Sequence, residues 1–170
     1  MINATYCQTM ASYGVWMNNK IYNLCAGMTD SERKQDRGAF FGSIHHTLNH
    51  ILYADLAFMS RFTGDPKHIP ELGTELHDHF EALLDARRAM DARISAWSST
   101  LDEKWLAHSL TYTSKVDDVT RTVARWVLVT HMFNHAIHHR GQISTLLSQL
   151  GLDPGSTDLP FMPQFESSGL

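Results

Sequence analysis

Leu128, Met132, His135, His139, Gln142, Leu146 and Leu150 recur at steps of three and four residues. At about 100° per residue they fall in one narrow stripe along a helix. Such a stripe is the seam by which one helix of a bundle is buried against its neighbours, so it commits this part of the chain to helix-on-helix packing. It also poses a chemical problem. Two imidazoles and a carboxamide stand where the pattern calls for apolar groups, and buried polar groups are costly unless they find partners.

Three further segments read as helices bounded by stop signals. The first spans about residues 2–25 and ends at Gly27, with Thr29-Asp30-Ser31-Glu32 capping a short following turn. The second spans about residues 38–62 and stops at Gly64-Asp65-Pro66. The third starts near Glu71 or Thr74 and continues to Ser98, with Leu76, Phe80, Leu83, Leu84, Met90 and Ile94 in helical register. The fourth, which carries the seam, spans about residues 116–150, with Asp117 and Asp118 in its first turn and Gly151 and Pro154 at its end. Residues 106–113 are too β-prone for a helix and read as a short extended excursion or small hairpin between helices three and four. The tail, residues 158–165, reads as extended chain packed back on the body. With 170 residues and 43% apolar content, these segments imply a single all-α domain over residues 1–170, built as a four-helix bundle. The connections differ in length, so a simple up-down-up-down order is not assumed.

Charge and composition exclude several functions. A net charge of −4 offers no broad basic face for nucleic acid. No apolar run is long enough to span a bilayer, so no membrane partner is expected. The first residues lack a basic segment followed by an apolar one, so no secretory signal is read there. Cys7 and Cys25, on one helix, are about 27 Å apart and cannot pair with each other. Free thiols and no export signal point to the cytoplasm.

Eleven histidines are present, and seven of them fall between His45 and His50 or between His131 and His139. His135 and His139 are one turn apart, so both can aim a ring nitrogen at one ion. The same i, i+4 spacing serves zinc-binding helices, although no glutamate follows the first histidine here (Ala136). The alternative is a pair of core histidines satisfied by carbonyls or water. A further histidine within reach favours the metal. On the second helix, Phe40, Thr47, His50, Ile51, Ala54, Ala57 and Phe58 form a broad inward face, with His50 inside it. His50, His135 and His139 would then hold a divalent ion with positions left open, the pattern of catalytic rather than structural sites. His46 remains an alternative to His50, and His138 to His139. His45, His46 and His138 otherwise read as solvated histidines or as supports for the ligands. Gln142 either holds a ligand imidazole by its second nitrogen or bonds to a neighbouring helix. Tyr6, Tyr53, Asp55 and Arg140 are polar residues near the expected site, the last two read as ion-pair or helix-surface groups.

At these residues the chain resembles the DinB/YfiT-like metalloenzyme family. The resemblance is carried by Asn134-His135-Ala136-Ile137-His138-His139-Arg140-Gly141-Gln142, by residues 38–50 with Ala54-Asp55, and by Asp158-Leu159-Pro160-Phe161. It implies a bundle in up-down-down-up order, often dimeric, with zinc or nickel held by His50, His135 and His139. It also implies thiol-dependent transferase or isomerase chemistry with a low-molecular-weight thiol.

The leading expectation is a metal-dependent transferase or hydrolase acting on a small molecule, with no general acid or base identifiable. The alternative is a non-catalytic metal-binding dimer associated with stress. Phe41, Leu48, Leu52 and Met59 make a second apolar side on helix two, to be buried either in a tight bundle or at a subunit interface, and a homodimer through that helix is expected. Since histidine ligands must be neutral, metal is expected to leave below about pH 6.

Overall fold

The structure, a computed structural model, describes residues 1–64 and 69–166. Helix α1 (Ala4–Ala26) begins where Asn3 accepts a hydrogen bond from the Tyr6 amide. The short α2 (Asp30–Lys34) is set by a reciprocal capping box between Thr29 and Glu32. Helix α3 (Ile44–Thr63) starts at Ser43, whose hydroxyl accepts from the His46 amide, and ends at Gly64. The expected stop residues Asp65 and Pro66 lie outside the described residues, as does His68. Helices α4 (Phe80–Ser98) and α5 (Glu103–Ala107) follow, then strands β1 (Ser109–Thr113) and β2 (Thr120–Ala124), then helix α6 (Arg125–Gln149). A 3₁₀ turn (Leu159–Phe161) and α7 (Pro163–Glu166) close the chain.

Helix α1 packs on α4 and α6, and α3 packs on the same two, so the four long helices form a ring of neighbours. Met17, Ile21, Ile51, Met59, Leu83, Met132 and Leu147 fill the space between them. A polar network crosses this core. Arg87 is clamped between Asp55 at 2.6 Å and Asp91 at 2.8 Å. Asn18 donates to Asp91 and accepts from Arg140. One side chain or more from each long helix thus meets in a charge-balanced cluster, which pins their relative register. The ion-pair reading of Asp55 is met by Arg87; Arg140 lies buried, not on a helix surface.

Three helices begin later than the sequence pattern suggests, each because a local alternative captures the backbone. Residues 38–43 form a tight turn with a bridge between Ala39 and Gly42. Gly38 and Gly42 have φ of +66° and +73°, values that residues with a Cβ rarely adopt. Phe40 therefore sits off the helix and is 84% exposed, not on the inward face. Phe41 leaves the helix as well. Before α4, the Asn49 side chain accepts from the amides of Leu76 and His77 and donates to the His77 carbonyl. That holds residues 76–77 against α3, and α4 starts only at Phe80. Ahead of α6, threonines at 111, 113, 120 and 122 suit a strand pair, with hydroxyl bonds across Thr111–Thr122 and Thr113–Thr120. Asp117 and Asp118 lie in the hairpin turn, where Asp117 pairs with Arg121, and not in a helical first turn.

The expected second apolar side of α3 is covered by this chain itself. Leu48 is 2% exposed, Leu52 3% and Met59 0%. The tail packs back through buried Met162 and through Thr157 and Ser156, whose carbonyls accept from Tyr13 and Lys20. It does so as short helical turns rather than extended chain, and leaves Phe161 and Phe165 exposed. No helix among the described residues is long and apolar enough to cross a membrane.

Candidate metal centre

His50 projects from the middle of α3, while His135 and His139 project from successive turns of α6, the helix packed against it. The Nε2 atoms of His50 and His135 are 3.0 Å apart, and those of His135 and His139 are 3.1 Å apart. One ligand atom from each of the three lies within 4.8 Å of the others. Two nitrogens, each 2.0–2.1 Å from a tetrahedral ion, would stand about 3.3 Å apart. The donor set and spacing therefore fit a divalent ion such as zinc.

Two neighbours orient these rings. Nδ1 of His139 donates to Oε1 of Gln142 at 2.8 Å, which leaves the Nε2 lone pair directed at the cluster. Gln142 in turn donates through Nε2 to His138 at 3.2 Å. On the other side, the Phe41 ring stacks on His50 at 3.9 Å between centroids and meets His139 edge-on at 5.3 Å. Burial pushes the His50 imidazole down to about 4 and His135 to about 3, with repulsion from neighbouring histidines adding to it. His139 is lowered too, again chiefly by burial. All three are neutral at physiological pH, as ligands must be.

Among the other described histidines, His131 and His138 lie beside these three, with ring centres 5.9 Å from His135 and 4.8 Å from His139 respectively. His46 and His138 are exposed and lie outside the cluster. His45 is not solvated: it is fully buried, with Nε2 at 2.9 Å from both the His77 carbonyl and Glu75. The Tyr53 hydroxyl donates to the Pro70 carbonyl. Tyr6 packs edge-on against Phe133. Cys7 and Cys25 are free, but burial raises their thiols to about 11 and about 12, so neither is a nucleophile near neutrality.

Two cavities meet at His50. One, of about 330 Å³, is bordered by Phe41, His46, Asn49, Tyr53 and Glu75. The other, of about 230 Å³, reaches from His50 and His135 toward Arg61 and Tyr112. Such flanking space is what an open coordination site needs for substrate approach. Sequence reasoning missed Phe41, Glu75 and Arg61. The glycines at 38 and 42 were the available signal for Phe41, since a chain that can double back there returns its aromatic residues toward α3. Glu75 and Arg61 carried no comparable signal.

The family model described as DinB family matches residues 1–168. Protein DinB of Bacillus subtilis (strain 168) is 27% identical over 150 residues, covering 86% of this chain and 87% of that protein. The crystal structure of a DinB-like protein from Bacillus cereus ATCC 10987 superposes with a TM-score of 0.61 at 19% identity, covering 84% of this chain and 91% of that one. That likeness supports the same fold.

Proposed function

The chain belongs to the DinB family, and on that premise we propose that it is a metal-dependent enzyme of thiol-transferase or hydrolase type. Its centre is the open site formed by His50, His135 and His139. The observation that carries this reading is the convergence of their Nε2 atoms at 3.0 and 3.1 Å at a partly buried site, where three ring nitrogens turned on one another call for a shared partner. The ion we favour is zinc or nickel. A divalent ion held there would supply Lewis acidity, polarising a ligating group or lowering the pKa of a thiol or water.

The chain supplies the rest. Three neutral ligands leave an ion's double positive charge uncompensated, which favours an anionic ligand in the open position. Gln142 fixes the tautomer of His139, and Phe41 shields one face of His50 from water. The two cavities give a small substrate and a low-molecular-weight thiol separate approaches to one point. The reading extends to an up-down-down-up helix order. It also places the protein in the cytoplasm, in keeping with its two free cysteines.

Elemental analysis of untagged protein tests the metal directly. About one zinc or nickel per chain is expected, with loss in His139→Ala. A wild-type protein that takes up neither ion in equilibrium dialysis overturns the reading. With metal bound, turnover is sought across low-molecular-weight thiols paired with electrophiles, and across esters and amides. Absence of turnover in all of them would leave a metal-binding protein without catalysis.

A further inference from the structure

The smaller cavity has a chemical polarity of its own. His50 and His135 stand at one end. At the other are Arg61 near the end of α3, Tyr112 of β1, and Lys115 in the hairpin turn. Ala54, Ala57 and Phe58 make the wall between, on the same face of α3 as His50 and Arg61. Eleven residues separate His50 from Arg61 in the sequence, about 16 Å along the helix axis. The Arg61 side chain shortens that span, because helical side chains lean toward the N-terminus.

Arg61 is a half-buried cation with no counter-ion among the described residues. Its guanidinium carbon lies 4.9 Å from the centre of the Tyr112 ring and 5.5 Å from that of Phe58, within cation–π reach. Aromatic rings attract the charge but do not accept its fork of N–H donors as a carboxylate does. Among the described residues no Asp or Glu lines the cavity, and none forms an ion pair with Arg61. Arg87, by contrast, is held by two aspartates, and Arg140, which has no ion pair among the described residues, is held in the core by Asn18 and the Tyr13 ring. A guanidinium with no carboxylate partner among the described residues, in a cavity that Lys115 also lines, is a place suited to an anion.

We propose that Arg61 binds the carboxylate of a small substrate whose opposite, ligating end lies at His50 and His135, with a short apolar chain between. This rests on the metal-centre reading above for the ligating end, but not for the carboxylate end. The volume of about 230 Å³ falls below the range of drug-sized sites, so the substrate is small. Arg61 is thereby a specificity-determining residue, separate from the histidines.

A matched pair of probes tests it. 6-Mercaptohexanoate and 6-mercapto-1-hexanol share thiol and chain and differ at the far end. Calorimetric titration of the zinc-loaded protein should show the carboxylate bound about tenfold or more tightly than the alcohol, the usual effect of a charged hydrogen-bonded pair. Arg61→Gln should bring the two within about twofold at unchanged zinc content, and Arg61→Lys should keep part of the preference. Equal binding of both probes by wild type overturns the proposal, as does a preference that survives in Arg61→Gln. Should Arg61→Gln fail to fold, wild type and Arg61→Lys still decide. Failure of the metal reading shows separately, as zinc not retained in dialysis. Hexanoate against hexanamide on the metal-free protein then reads Arg61 alone, with preference for hexanoate expected and no preference overturning it.

Discussion

At the level of single residues, the histidine cluster makes two measurable demands. The first concerns pH. Burial holds His50 near 4 and His135 near 3 in the folded, metal-free protein, whereas imidazoles of an unfolded chain titrate near 6.5. Between about pH 6.5 and 4 the unfolded state therefore binds more protons, and stability falls as pH falls through that window. Above 6.5 both states are neutral and these residues add no pH dependence. Urea midpoints of metal-free protein should drop from pH 7.5 to pH 5, and His135→Gln should lessen the drop. An identical pH slope in wild type and variant would contradict this assignment. The same weak proton affinity means that bound metal competes with protons only at lower pH than free imidazole suggests, so release is expected well below pH 6. The second demand concerns Gln142. Its carbonyl oxygen fixes the His139 tautomer, and losing such a partner commonly costs about 10- to 100-fold in metal affinity. Gln142→Ala should weaken zinc binding by that order in a chelator competition while the circular dichroism spectrum stays helical. Unchanged affinity would assign Gln142 to the surface pair with His138 instead.

At the level of elements, what could be read from sequence divides by the kind of force involved. Helix existence and the inward faces were legible because burial imposes a 3.6-residue period over many residues. Leu128, Met132, His139 and Leu146 are all buried as the seam requires. His50, His135 and His139 were legible for the same reason, as polar residues breaking an apolar pattern, and the structure brings those three together rather than His46 or His138. Helix starts were not legible, because they turn on single contacts from distant residues. Asn49 holds residues 76–77 out of α4, and nothing near residue 76 in sequence announces it. The hairpin ahead of α6 was half visible: threonines marked β1, but the aspartates at 117 and 118 mimic a helical first turn. Only the pairing of Thr111 with Thr122 reveals a strand there. Arg61 escaped notice because an arginine in a helix is ordinarily solvated, and only the folded chain shows that the Phe58 and Tyr112 rings lie against it, with no carboxylate among the described residues.

For the whole molecule, the question is whether the apolar content of α3 is spent on the fold or on a partner. An amphipathic helix with a second apolar side implies two burials, and the sequence allows the second to be a tight bundle or another subunit, the latter being the expectation. In the folded chain Met59 has 0% exposure and Leu48 2%, both within the same core as Met17 and Leu83. Interface residues of a dimer are exposed in the isolated subunit, and these are not. The two assignments give opposite outcomes for Met59→Asp. At an interface, the carboxylate would split the dimer into folded monomers. In the core, an unpartnered charge costs on the order of 5 kcal/mol, comparable with the whole stability of a domain. We therefore expect Met59→Asp to lose helical circular dichroism and cooperative unfolding, and to be recovered largely as aggregate. Phe40→Asp, at a residue 84% exposed, should leave the helical signal intact. Were Met59→Asp to sediment as a folded monomer from a dimeric wild type, α3 would be the subunit interface after all. If wild type is a dimer by the same measurement and Met59→Asp unfolds, the contact uses a surface other than this buried face of α3.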